Sequence, residues 1–91
     1  MIILKTSDEI AVMAQASRVV AETLQILRKA VRPGITTDEL DHLAEEEIRS
    51  RGAKPAFKGY RSYPKTLCAS VNEQVVHGIP SKRVLKEGDI I

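Results

Sequence analysis

The chain has 91 residues, with 14 Lys and Arg against 12 Asp and Glu for a net charge of +2. That length allows one domain or part of one, and a charge this small and evenly mixed lacks a nucleic-acid footprint, so DNA is not an expected partner. One Phe and no Trp leave an aliphatic core, and a single cysteine excludes an internal disulfide and fits a reducing, cytoplasmic setting.

From Met1 to Ile10 there is no long apolar run and no small-residue cleavage site. We read neither a signal peptide nor a membrane span. Thr6-Ser7-Asp8-Glu9 predicts a helix start with a capping box, and its two acids suit the positive end of the helix dipole. Behind it Ile10, Met13, Ser17, Val20, Leu24, Leu27 and Val31 recur at spacings of three and four. They predict one face of an amphipathic helix of about 24 residues, roughly seven turns. Arg28, Lys29 and Arg32 gather at its end, and Pro33-Gly34 stops it.

Thr36-Thr37-Asp38-Glu39 predicts a second helix started by the same device. Leu40, Leu43, Ala44 and Ile48 form its apolar face, Glu45, Glu46 and Glu47 point mostly outward, and Gly52 is its C-terminal stop. The short link predicts antiparallel packing of the two helices. Asp38, His42 and Glu46 share one helix face at spacings of four. That trio could hold a metal only weakly, and with no fourth ligand nearby we read it as a solvated face.

Ala53 to Tyr63 reads as a loop, Thr66 to Val71 as a strand, Asn72-Glu73 as a turn and Val75 to His77 as a second strand. Lys86 to Asp89 turns into Ile90-Ile91, the start of a third strand. The order predicts an α+β arrangement: two helices, an antiparallel hairpin and an exposed strand start. Such an edge invites pairing between copies through Ile90 and Ile91. We expect residues 1–91 to be part of a larger domain, with no linker and no second domain. Lys54, Lys58, Arg61 and Lys65 form the densest basic cluster. We read a solvated loop, with attraction to an acidic surface such as ribosomal RNA as the alternative.

Four residues in this last stretch could carry chemistry. His77 precedes Gly78 where a pocket can open, and its ring can exchange a proton near neutral pH. The residues alone slightly favour a structural histidine bonded to a carbonyl. Cys68 could be a nucleophile paired with His77, but Leu67 and Ala69 point to burial, and a small apolar wall residue is the better reading. Tyr60 and Tyr63 suit an apolar pocket with a polar rim, or simply cover the core; both readings stay open.

Taken together, Val31-Arg32-Pro33-Gly34-Ile35-Thr36, Pro55-Ala56-Phe57-Lys58-Gly59-Tyr60, Tyr63-Pro64, Cys68-Ala69-Ser70-Val71-Asn72-Glu73 and Val76-His77-Gly78-Ile79-Pro80 resemble the N-terminal part of a type I bacterial methionine aminopeptidase. The resemblance covers nearly the whole chain and about the first third of that family's catalytic domain. It implies a pita-bread fold of two pseudo-symmetric halves around two divalent metal ions of the cobalt, manganese, iron or zinc type. The implied reaction is removal of the initiator methionine from nascent chains. His77 matches the histidine that hydrogen-bonds the substrate near the scissile peptide. Tyr60, Tyr63 and Cys68 match the wall of the methionine side-chain pocket, where sulfur–aromatic contacts are favourable. The resemblance places the family's metal ligands beyond Ile91, so no metal is expected on this chain and the chain alone is expected to be inactive. Two alternatives are a non-catalytic module that binds peptides or the ribosome, and a self-associating structural domain.

Overall fold

The computed structural model describes residues 1–91, and its two long helices are α1, Ser7–Ala30, and α2, Thr37–Ser50. The capping box forms as predicted: Thr6 Oγ1 accepts from Glu9 N at 3.1 Å and the Glu9 carboxylate accepts from Thr6 N at 2.8 Å. At α2 Thr36 Oγ1 accepts from Glu39 N at 3.1 Å. Gly52, at φ +75°, stops α2, with Gly52 N donating to Arg49 O at 3.0 Å and Ala53 N to Ile48 O at 3.1 Å. These two bonds make a Schellman motif, for which a glycine at the left-handed position has no Cβ penalty.

Leu40 at the start of α2 shares a cluster with Leu27 near the end of α1, and Arg51 beyond the end of α2 reaches back to Glu22 at 2.8 Å. The two helices therefore run in opposite directions. The core is aliphatic, as expected: Leu27, Ile35, Leu40, Ala44, Val71 and Leu85. Because α2 is ten residues shorter than α1 (14 against 24), it covers only the C-terminal part of the longer helix. Ile10 and Met13 are accordingly exposed, whereas Val20 and Leu24 are exposed because the face of α1 that meets the core runs through Thr23, Leu27 and Ala30 rather than along the predicted stripe. The molecule is elongated, 46 × 28 × 22 Å.

The hairpin is not formed as predicted. No regular strand is present, and the only bridge is an antiparallel one between Thr36 and Val84. Around that bridge Gly34 N donates to Leu85 O and Leu85 N to Ile35 O, both at 2.8 Å, so the link between the helices is stitched to residues 83–85. The predicted strands fail for a local reason. Asn72 and His77 both sit at φ +53°, a left-handed conformation that breaks an extended run. Val75 and Val76 are exposed rather than facing a core. One close contact of the expected pairing survives: Ala69 N donates to Gly78 O at 2.7 Å. The open third strand is also corrected. Ile90 N donates to Asn72 Oδ1 and Asn72 N to Ile90 O, each at 2.9 Å, so this edge is partly used within the chain, although the Ile90 and Ile91 side chains remain exposed.

Candidate functional site

The loop from Phe57 to Cys68 carries three of the four singled-out residues. Its tip is a short 3₁₀ turn, Tyr60–Ser62, preceded by Gly59 at φ +85° and containing Arg61 and Ser62 at φ +48° and +64°. Left-handed backbone at a non-glycine residue is unfavourable. Three backbone bonds, Gly59 N to Tyr63 O at 2.8 Å, Tyr60 N to Phe57 O at 2.9 Å and Tyr63 N to Tyr60 O at 3.0 Å, close the turn, and further anchors fix the feet of the loop. Phe57 packs edge-on to Tyr63 with ring centroids 6.4 Å apart. Tyr60 is exposed, with the Arg61 guanidinium 5.3 Å from its ring centre. Tyr63 donates its hydroxyl to Leu67 O at 2.6 Å, folding the ring back over the segment that leads to Cys68.

The anchors come from α2. Asp41, only 6% exposed, accepts at Oδ1 from Thr66 N at 2.9 Å and from Leu67 N at 2.7 Å. One turn on, Glu45 Oε1 accepts from Lys58 Nζ at 2.6 Å and from Thr66 Oγ1 at 3.0 Å, and Oε2 accepts from Arg49 Nε at 3.2 Å. The bond from Lys58, then those from Thr66 and Arg49, hold the Glu45 carboxyl down to about 2. A depressed carboxylate supports the fold above its ordinary pKa and loses that effect as pH falls through its folded value. The Glu45 ties therefore persist between about pH 4.5 and 2, where an ordinary carboxylate is being protonated. Sequence reading missed both acids. Glu45, expected to point mostly outward, faces the loop. Asp41 lies beside Leu40 on the inner face of α2, and an acid next to an apolar stripe was the available signal.

Three of the four basic residues of the cluster are engaged within the chain: Lys58 pairs with Glu45, Lys65 pairs with Asp38 at 2.9 Å, and Arg61 stacks on Tyr60. Cys68 is exposed, which corrects the expected burial. Beside it lies an apolar recess of about 440 Å³ lined by residues that include Leu24, Leu27, Leu67, Cys68 and Ile91. Tyr60, Tyr63 and His77 do not line that recess.

Burial, then the Cys68 hydrogen bond and the charges of Cys68 and Asp41, push Tyr63 up to about 12 from an ordinary 10.0. The native state therefore favours the neutral phenol. Its contribution is intact below pH 10 and is lost as pH rises through the folded value. Ultraviolet titration of tyrosinate absorbance should show one ring ionising only near pH 12. Complete ionisation by pH 11 in the folded chain would contradict this environment.

His77 stands on the neighbouring segment. It is exposed, adopts φ +53°, and its ring forms no hydrogen bond to a carbonyl. Gly78 fixes it from behind: Gly78 O accepts from Ala69 N at 2.7 Å and Gly78 N donates to Ser70 Oγ at 3.0 Å. This places the backbone of His77 beside that of Cys68 to Ser70, and the imidazole is free to meet a ligand.

No three His, Cys, Asp or Glu side chains gather about a common point. His42 is paired with Glu46 at 3.1 Å and Asp38 is turned to Lys65. Asp89 accepts from Asn72 Nδ2 at 2.9 Å and from Lys86 N at 2.8 Å, which engages both of its oxygens. The residues present do not fit a two-metal centre, and no chemical step through a metal is assigned to them.

The chain is 56% identical over its whole length to the methionine aminopeptidase of Clostridium acetobutylicum and 54% identical to methionine aminopeptidase 1 of Bacillus subtilis. It spans 37% of the length of each. The crystal structure of the Thermotoga maritima methionine aminopeptidase superposes with a TM-score of 0.95 at 47% identity, and that from Rickettsia prowazekii with 0.94 at 39%. Each match covers 98% of this chain and 36% of the solved one. The family model described as metallopeptidase family M24 matches residues 11–91, and the chain belongs to that family.

Proposed function

We propose that residues 1–91 are part of the catalytic domain of a cytoplasmic, metal-dependent methionine aminopeptidase with a pita-bread fold. One observation carries this reading: identity above half over the full chain to curated methionine aminopeptidases. In this reading Tyr60, Tyr63 and Cys68 receive the methionine side chain of a nascent polypeptide. His77 hydrogen-bonds the substrate at the scissile peptide as negative charge develops there. The two divalent ions, of the cobalt, manganese, iron or zinc type, supply Lewis-acid chemistry and are held by polypeptide other than residues 1–91. This division agrees with a chain that spans 37% of its relatives' length. Residues 1–91 by themselves are inactive.

The test is hydrolysis of a Met-Ala-Ser tripeptide by the complete polypeptide that carries residues 1–91, supplied with divalent metal. His77→Ala should lower kcat/KM by about 100-fold or more, the range lost with a positioned proton-transfer or hydrogen-bonding group. Its melting temperature should be nearly unchanged, since the exposed ring supports no packing. Full activity in the variant defeats the assignment of His77, and metal-dependent cleavage by residues 1–91 alone defeats the division of labour.

A further inference from the structure

A single carboxylate oxygen on α2 joins the two feet of the tyrosine loop. Glu45 Oε1 takes Lys58 Nζ at 2.6 Å on the incoming side and Thr66 Oγ1 at 3.0 Å on the outgoing side. Arg49, one turn along the helix, holds Oε2 at 3.2 Å and so fixes the direction of the carboxylate. Between the feet lie Gly59, Arg61 and Ser62 in left-handed conformations; backbone bonds such as Gly59 N to Tyr63 O at 2.8 Å close the tip, but none ties the tip to α2. An exposed ion pair ordinarily contributes little. This one differs because Glu45 is mostly covered, its side chain 23% exposed, and because its oxygen closes a loop rather than joining neighbours on one helix.

We propose that Glu45 is a positioning residue that closes the Lys58–Thr66 loop and thereby sets where Tyr60, Tyr63 and Cys68, the residues assigned to the methionine side chain, stand relative to one another. The proposal rests on the methionine-pocket reading given above. Glu45 touches no substrate in this scheme; it acts through the loop. His77 lies outside the loop and is held separately by Ala69 and Ser70 through Gly78. Loosening the loop therefore weakens capture of the side chain while leaving the group at the scissile peptide in place. The expected kinetic signature is a change in KM with little change in kcat.

Two measurements test it. In the complete polypeptide acting on Met-Ala-Ser, Glu45→Ala and Lys58→Met should each raise KM at least about fivefold with kcat within about twofold, a loss of binding shared by ground and transition states. Glu45→Gln, which keeps an acceptor for Thr66, should fall between wild type and Glu45→Ala. In the 91-residue chain, the rate at which a disulfide reagent labels the exposed Cys68 should change at least about threefold in Glu45→Ala, since thiol reactivity follows local environment and access. Glu22→Gln, on α1 and away from the loop, should alter neither. Unchanged KM with unchanged labelling overturns the proposal. If the wild-type polypeptide cleaves no methionyl peptide, the functional reading fails, and Cys68 labelling alone decides whether Glu45 positions the loop. Should Glu45→Ala not fold, Lys58→Met carries both measurements.

Discussion

Gly78→Ala is expected to lower the melting temperature of the 91-residue chain by about 15 °C or more, the shift that a loss of about 3–5 kcal/mol produces in a domain of this size. The reason is space. A Cβ at position 78 would stand 2.4 Å from Ala69 O, 2.8 Å from Ala69 C and 2.8 Å from Ser70 Cα. All three are backbone atoms, so no side chain can rotate away. The two segments must separate, and separation strains or breaks the Ala69 N to Gly78 O and Gly78 N to Ser70 Oγ bonds. Overpacking costs about 1–3 kcal/mol and each lost hydrogen bond about 1. The neighbouring Val71, fully buried, would move with them. Gly52→Ala is the matched comparison. Nothing lies within 4 Å of a Cβ there, and only the φ of +75° opposes it. That variant should lose about 1 kcal/mol. Circular dichroism melting of both variants separates the two causes; equal melting temperatures would show that the close approach at Gly78 costs no more than one strained backbone position.

The same position shows why the helices were legible in the sequence and the sheet region was not. A helix is announced by neighbours: the Thr6 to Glu9 box, the three-and-four spacing to Leu27 and the Gly52 stop all act within one or two turns. The segments after Tyr63 are shaped by partners far along the chain. Thr36 meets Val84, Asn72 meets Ile90 and Ala69 meets Gly78. Thr66 to Val71 and Val75 to His77 have strand composition, but composition does not reveal that Asn72 and His77 take left-handed backbone. At the candidate site the histidine, the tyrosines and the cysteine were visible as residue types. What holds them was not, because Asp41 and Glu45 lie 25 and 21 residues before Thr66 and look like ordinary helix acids.

Asp41 is where that hidden support is greatest, and Asp41→Ala is the second large effect. Its carboxylate is 6% exposed and accepts from two successive backbone amides, Thr66 N at 2.9 Å and Leu67 N at 2.7 Å. Thr66 is itself buried, at 5% exposure. Alanine removes the acceptor and leaves both donors without a partner in a site that water reaches poorly. Each stranded group costs about 1–3 kcal/mol, so the expected loss is about 3–5 kcal/mol. Asp41→Asn has nearly the same shape, and its carbonyl oxygen can still accept from both amides. It gives up only the charge assistance, a loss of about 1–2 kcal/mol. Urea denaturation of the two variants should therefore rank wild type above Asp41→Asn and Asp41→Ala last by a wide margin. Release of the amides also frees Leu67 O, which receives the Tyr63 hydroxyl. Tyr63 in Asp41→Ala should then ionise earlier than in Asp41→Asn, which loses the Asp41 charge but keeps the burial that is the main cause of the rise to about 12. A variant as stable as wild type, with Tyr63 still ionising late, would mean that the loop is held by its own turn and that the α2 acids merely lie alongside it.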